Sequence, residues 1–196
     1  MSIQRYSGVA IVLHWLIAVG IIYNLVAGLG LEGLWHQVEL EQLPATAARA
    51  ATDLHKSIGI TVLGLVAMRV LWRIGHTPPP LPEGTKPAEA KLAAAIHHTL
   101  YLLMVLVPLS GWLHDSAWKG AAENPLKLFG SIPFFRLPVF GGMDEVTKDA
   151  WHGGLGEAHE IMAFVLIAAV ALHILGALKH SLIDRKPSLS RMWFGK

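Results

Sequence analysis

Four histidines, His14, His55, His159 and His173, lie in or at the ends of long apolar stretches of this 196-residue chain. Ionisable side chains in such surroundings are costly and are usually kept for function. Neutral imidazole can ligate a metal, relay a proton or simply hydrogen-bond. A single histidine of this kind reads as readily as a structural or proton-relay group as it does as a ligand. Four that match in pairs read differently. Fourteen residues separate His159 from His173, which on a helix is a rise of about 21 Å and a rotation about 40° short of four turns. Both rings therefore leave nearly one helix face, at two depths.

Something must bring partners to those depths. Four apolar stretches, at about residues 8–31, 54–72, 96–113 and 159–178, have the length of roughly 20 residues that crosses a bilayer. In antiparallel order, His14 lies about six residues into the first span and His173 about six before the end of the fourth. They share a level. His55 and His159 open their spans on the opposite side and share another. Copper and zinc also accept histidine, but each site here offers two nitrogens. Haem iron carries four more of its own, so the pairs point to haem. The expectation is an all-α integral membrane four-helix bundle, one domain over 1–196, with two haems in its core. Imidazole on both faces of the iron leaves no open position for oxygen chemistry and suits an electron carrier.

Composition agrees. Apolar residues make up 53% and charged residues 15%, and mean hydropathy is +0.47, the profile of a chain with lipid as part of its solvent. With no cysteine, disulfides, thiolate zinc sites, cysteine-held iron–sulfur clusters and c-type haem attachment are excluded. A net charge of +2 and no basic run give no sign of nucleic-acid binding. The apolar stretch after Arg5 is too long for a signal peptide and carries His14, so it reads as a retained span. The connection at 32–53 reads as acidic and partly helical, and 74–90 as an extended proline-rich loop. The long connection at 114–158 reads as irregular structure at the membrane surface. On the side of the termini, ten basic residues, Lys196 among them, face three carboxylates, a net +7; the opposite side nets −5. The positive-inside rule then places both termini in the cytoplasm.

The segments RYSGVAIVLHW, DLHKSIGI, MRVLWRIGHTPPPLP, HHTLYLLMVLVPLSGWL and LHILGALKHSLIDRKPSLSRM occur in order at the span boundaries and together resemble the bacterial cytochrome b561 family. The resemblance covers nearly all of the membrane-embedded chain but is weak over 114–158. It implies two non-covalent haems b, the bacterial inner membrane and electron exchange with ubiquinone or another quinone. By motif position, His14 and His173 match one ligand pair and His55 and His159 the other. His97 and His180 match positions associated with the quinone pocket.

Arg69 and Arg73 end the second span, where guanidinium suits a haem propionate as well as it suits ordinary anchoring. His36, His76, His98, His114 and His152 read as surface or interface groups, and Lys179 as snorkelling. Trp15, Trp72, Trp112 and Trp118 read as interface-belt or haem-packing aromatics, the belt being favoured. The expected function is electron transfer between an external donor or acceptor and the quinone pool, in contact with membrane lipid. One activity known in the resembled family is superoxide oxidation with ubiquinone as acceptor. The acidic far side counts against that, although Lys56, Lys119 and Arg136 could form a local positive patch. The alternatives are a non-catalytic haem-carrying anchor that relays electrons for a soluble or periplasmic redox partner, and a haem-free transporter.

Overall fold

The computed structural model describes residues 5–194; Lys196, counted among the charges, lies outside them. Four helices carry the fold: α1 (Gly8–Glu39), α2 (Ala45–Gly75), α3 (Pro87–Ala117) and α4 (Glu145–Leu178). All four are long and apolar enough to cross a membrane, which makes this a multi-pass membrane protein. They run for 32, 31, 31 and 34 residues. At 1.5 Å per residue each exceeds the roughly 30 Å of bilayer hydrocarbon, so each projects or tilts.

The excess corrects the expected boundaries. Residues 32–39 and 45–53 are helical, so the first connection shrinks to a tight reversal in which Glu41 takes a positive φ of 58°. Residues 145–158 are helical too, begun by Asp144, whose side chain accepts from the Thr147 amide at 2.9 Å. Hydropathy marks where a helix meets lipid, not where its hydrogen bonds stop. Asp144 and the alanine-rich run from Ala45 are the local signals for two of these extensions.

Helix α1 packs on α2, α2 on α3 and α3 on α4, while α1 and α4 hardly touch. The core cluster includes Ile17, Ile21, Val62, Val66, Leu103, Val107 and Leu166. Leu166 stands midway between His159 and His173 on α4. One apolar layer therefore separates the two histidine levels.

On the side opposite the termini, a short hairpin, β1 (Lys127–Leu128) and β2 (Ile132–Pro133), folds back onto the helices. Asp115, 5% exposed, holds its base by pairing with Lys56 of α2 and with Arg136, each at 2.8 Å. Arg136 also donates to the Ala121 and Asn124 carbonyls. On the side of the termini the chain closes over itself. Buried Arg191 donates to the Pro80 carbonyl at 2.6 Å, the Tyr6 amide donates to the Arg191 carbonyl, and Trp15 Nε1 donates to Met192 O at 2.7 Å.

Removing one member of a buried ion pair strands the others at a cost of roughly 3 kcal/mol or more. Asp115→Ala is expected to lower the thermal midpoint and to speed protease cleavage within residues 118–144. Unchanged midpoint and cleavage would show that Asp115 does not hold this segment.

Candidate functional site

The four apolar-span histidines meet in the expected pairs. The His14 and His173 rings have centroids 6.2 Å apart, and the His55 and His159 rings are also 6.2 Å apart. That separation is informative. An imidazole–metal bond is about 2 Å and the ring centroid sits roughly 1 Å behind the bonding nitrogen, so rings on opposite faces of one ion lie about 6 Å apart. All four rings are half-buried, and His14 and His173 face each other across the gap that α1 and α4 leave open.

The surroundings of the second pair fit a ligand role. His159 Nδ1 lies 2.9 Å from the Val107 carbonyl and 3.1 Å from Ser110 Oγ. Donation to that carbonyl puts the proton on Nδ1 and leaves the Nε2 lone pair free, the usual arrangement behind a metal-bound histidine. Among the described residues His55 Nδ1 is buried with no hydrogen-bond partner, and Asn24 holds the His55 carbonyl at 3.0 Å. Glycines make room for both rings. A Cβ on Gly111 would sit 3.0 Å from His159, and one on Gly28 would sit 3.2 Å from His55.

A third imidazole stands at the first pair. The His97 ring is 5.2 Å from the His173 ring, and its Nδ1 lies 2.6 Å from Ala93 O. Arg69 donates to the Ala10 carbonyl at 2.7 Å and to the Tyr101 hydroxyl at 3.1 Å, tying α2 to α1 and α3. Arg73 is exposed, its guanidinium 5.5 Å from the Tyr101 ring. Arg5, Arg69 and Arg73 share the wall of a cleft of about 600 Å³ that the proline-rich connection helps to close.

His180 occupies a different level. It bonds Asp184 at 2.7 Å, and Lys179 joins Asp184 to Glu89 of α3 at 2.9 and 2.5 Å. Hydrogen bonds from Lys179 and then His180 hold the Asp184 carboxyl below the usual carboxylate range. Lys179 is thus an ion-pair hub at the end of α4. Seven residues, about 10 Å of helix, separate His180 from His173, so His97 and His180 serve neighbouring levels and not one wall.

Two surface expectations also change. His114 and His152 stack at 3.8 Å, and each Nδ1 bonds the other's main-chain carbonyl, at 2.8 and 2.9 Å. No single-helix periodicity could reveal this, because the partners are 38 residues apart on α3 and α4. Trp15 is no free belt residue either. It contacts His14 and Trp193 and bonds the C-terminal segment.

A sequence model of prokaryotic cytochrome b561 matches residues 5–195. The chain belongs to the prokaryotic cytochrome b561 family. It is therefore a membrane haem protein of the b type. Among its relatives, cytochrome b561 homolog 2 of Escherichia coli (strain K12) is 33% identical over 190 residues, covering 96% of this chain and 91% of the relative. The probable superoxide oxidase CybB of Yersinia pestis is 26% identical over 195 residues, 96% of each chain. Cytochrome b562 of Cereibacter sphaeroides is 31% identical over 134 residues, 65% of this chain and 81% of that one.

Because a Cβ at Gly111 would press on His159, Gly111→Val is expected to weaken haem retention or alter the absorption spectrum of this cytochrome b561 protein. Gly64→Ala, where a Cβ meets nothing within 4 Å, is the control and should leave the spectrum unchanged. Equal spectra for both variants would detach His159 from the haem.

Proposed function

We propose that the chain binds two haems b, one held by His14 and His173 and one by His55 and His159, and passes electrons between an external donor or acceptor and the quinone pool. The observation that carries the reading is the pair of 6.2 Å imidazole separations, one near each end of the same bundle. Bound haem supplies a one-electron carrier at each pair. The protein's part is to fix ring positions and tautomers, to exclude water with the Ile17–Val66–Leu166 layer, and to supply charge at the rims.

The proposed location is the bacterial inner membrane with both termini in the cytoplasm, supported by the +7 and −5 charge asymmetry. On the termini side Arg69 and Arg73 are the groups suited to a propionate. His97 and His180 remain the candidates for a quinone site. His97 Nδ1 bonds Ala93 O, so His97 can donate to a quinone carbonyl beside His173 only as the imidazolium, through Nε2–H. His180, with Asp184, can hold or deliver a proton one level nearer the water.

A superoxide-oxidising role draws on the Yersinia pestis relative, but the local positive patch it needs is already spent. Lys56 and Arg136 pair with Asp115, and Lys119 pairs with Asp149 at 3.5 Å. The relay alternative, with a soluble or periplasmic partner docked on the same acidic side, fits that surface better.

Pyridine haemochrome analysis should give two non-covalent haems per chain. Replacing His14 or His173 by Ala is expected to remove one spectral component, and replacing His55 or His159 the other. Loss of a single shared component in the His14 and His55 variants would refute the pairing. His180→Ala should slow electron exchange with a soluble quinone while both components persist; a wild-type rate would move the quinone site away from this cluster.

A further inference from the structure

Between Pro125 and Met143 the chain contains no carboxylate, only Lys127 and Arg136 as charges, within a face that otherwise carries the acidic excess. That segment holds the hairpin, and although Leu126 and Phe140 are buried, three large apolar side chains in and beside the hairpin point outward. Phe129, Ile132 and Phe135 are 50%, 56% and 58% exposed. In water such a cluster would invite aggregation.

Depth supplies the missing partner. The hairpin tip is fastened to α2, where the Phe129 amide donates to Ser57 Oγ at 2.8 Å. Ser57 is fully buried and lies two residues past His55, further into the span. It opens the uncharged run of α2, residues 57–68. The tip therefore reaches the boundary where α2 enters hydrocarbon. Its backbone is prepared for that position. Beyond the Ser57 bond, the Ser131 amide donates to Leu128 O and the Phe134 amide to Leu126 O, while Trp112 Nε1 of α3 donates to Phe135 O. Non-helical backbone is tolerated at membrane depth only when its polar groups are satisfied by protein. Gly130, at φ +73°, closes the turn beside Phe129 at φ 51°.

We propose that this hairpin is a lipid-inserted wedge, its Phe129, Ile132 and Phe135 side chains seated among the acyl chains of the leaflet on its own side. Lys127, exposed at its base, faces the headgroup phosphates. Insertion bears on the redox end of α2, because the anchoring Ser57 is two residues from His55.

The cysteine-free sequence makes the test direct. Single-cysteine proteins Phe129→Cys, Ile132→Cys and, in the exposed loop, Glu123→Cys are each spin-labelled as the haem-loaded chain in phosphatidylcholine–phosphatidylglycerol vesicles. Power saturation then compares oxygen, which partitions into lipid, with a water-soluble nickel chelate. Labels at 129 and 132 should favour oxygen several-fold over nickel, and the label at 123 should do the reverse. Nickel-dominated relaxation at 129 and 132 would put the hairpin in water and overturn the proposal. Protection from both reagents would overturn it as well, by placing the tip against protein, such as a second copy of the chain. An unchanged haem spectrum in each labelled protein confirms that the fold under test is intact.

Discussion

An imidazole ring in an apolar bundle cannot be left to itself. Each unpaired ring nitrogen in a low-dielectric core costs on the order of a kcal/mol or more, and here four half-buried rings face one another with about 6 Å between centroids, too far to satisfy each other directly. Much of the architecture follows from that spacing. Helices α1 and α4 stand apart, glycines replace larger residues where rings press on helices, and the dry layer around Leu166 lies between the two levels. The two facing ring pairs flank the apolar cluster that the four helices share.

The two ends solve opposite electrostatic problems. At the end bearing the termini, Arg69 is spread between a helix carbonyl and a tyrosine hydroxyl, which holds its charge in place without cancelling it. The C-terminal segment then covers this end through Arg191 and Trp15. At the far end Lys56, Arg136 and Lys119 are paired with Asp53, Asp115 and Asp149. There the charges work as fasteners that clamp the long connection to α2 and α3.

This division explains what could be read from the sequence. Depth matching of His14 with His173 and of His55 with His159 needed only the helix rise and the antiparallel order, both of which the apolar stretches reveal. The helical stretch at 145–158 escaped because it is polar and hydropathy is silent outside lipid. The stretch 32–53 already read as partly helical and lacked only the bounds of its two helical pieces. The Asp115 network, the His114–His152 stack and the Lys179 hub escaped for another reason. Each joins residues that only the packing of separate helices brings together, so no local pattern carries them. The proximity of His97 to His173 is of the same kind.

The charge pattern also bears on what can approach the far side. A site that gathers a small anion needs uncompensated positive potential at its mouth. Here the face nets −5, and the three cations nearest to forming a patch each have a carboxylate within 4 Å. Proximity of that sort lowers local potential steeply, since exposed pairs are already screened beyond about one Debye length. A neutral donor would cross such a surface without penalty, and a basic protein face would be drawn to it. Residues 125–143, where the apolar hairpin lies, carry none of that side's carboxylates. The two regions therefore face different solvents, the acidic residues water and the hairpin lipid. A redox partner arriving from the aqueous side would meet the acidic rim beside α4 before it met the hairpin.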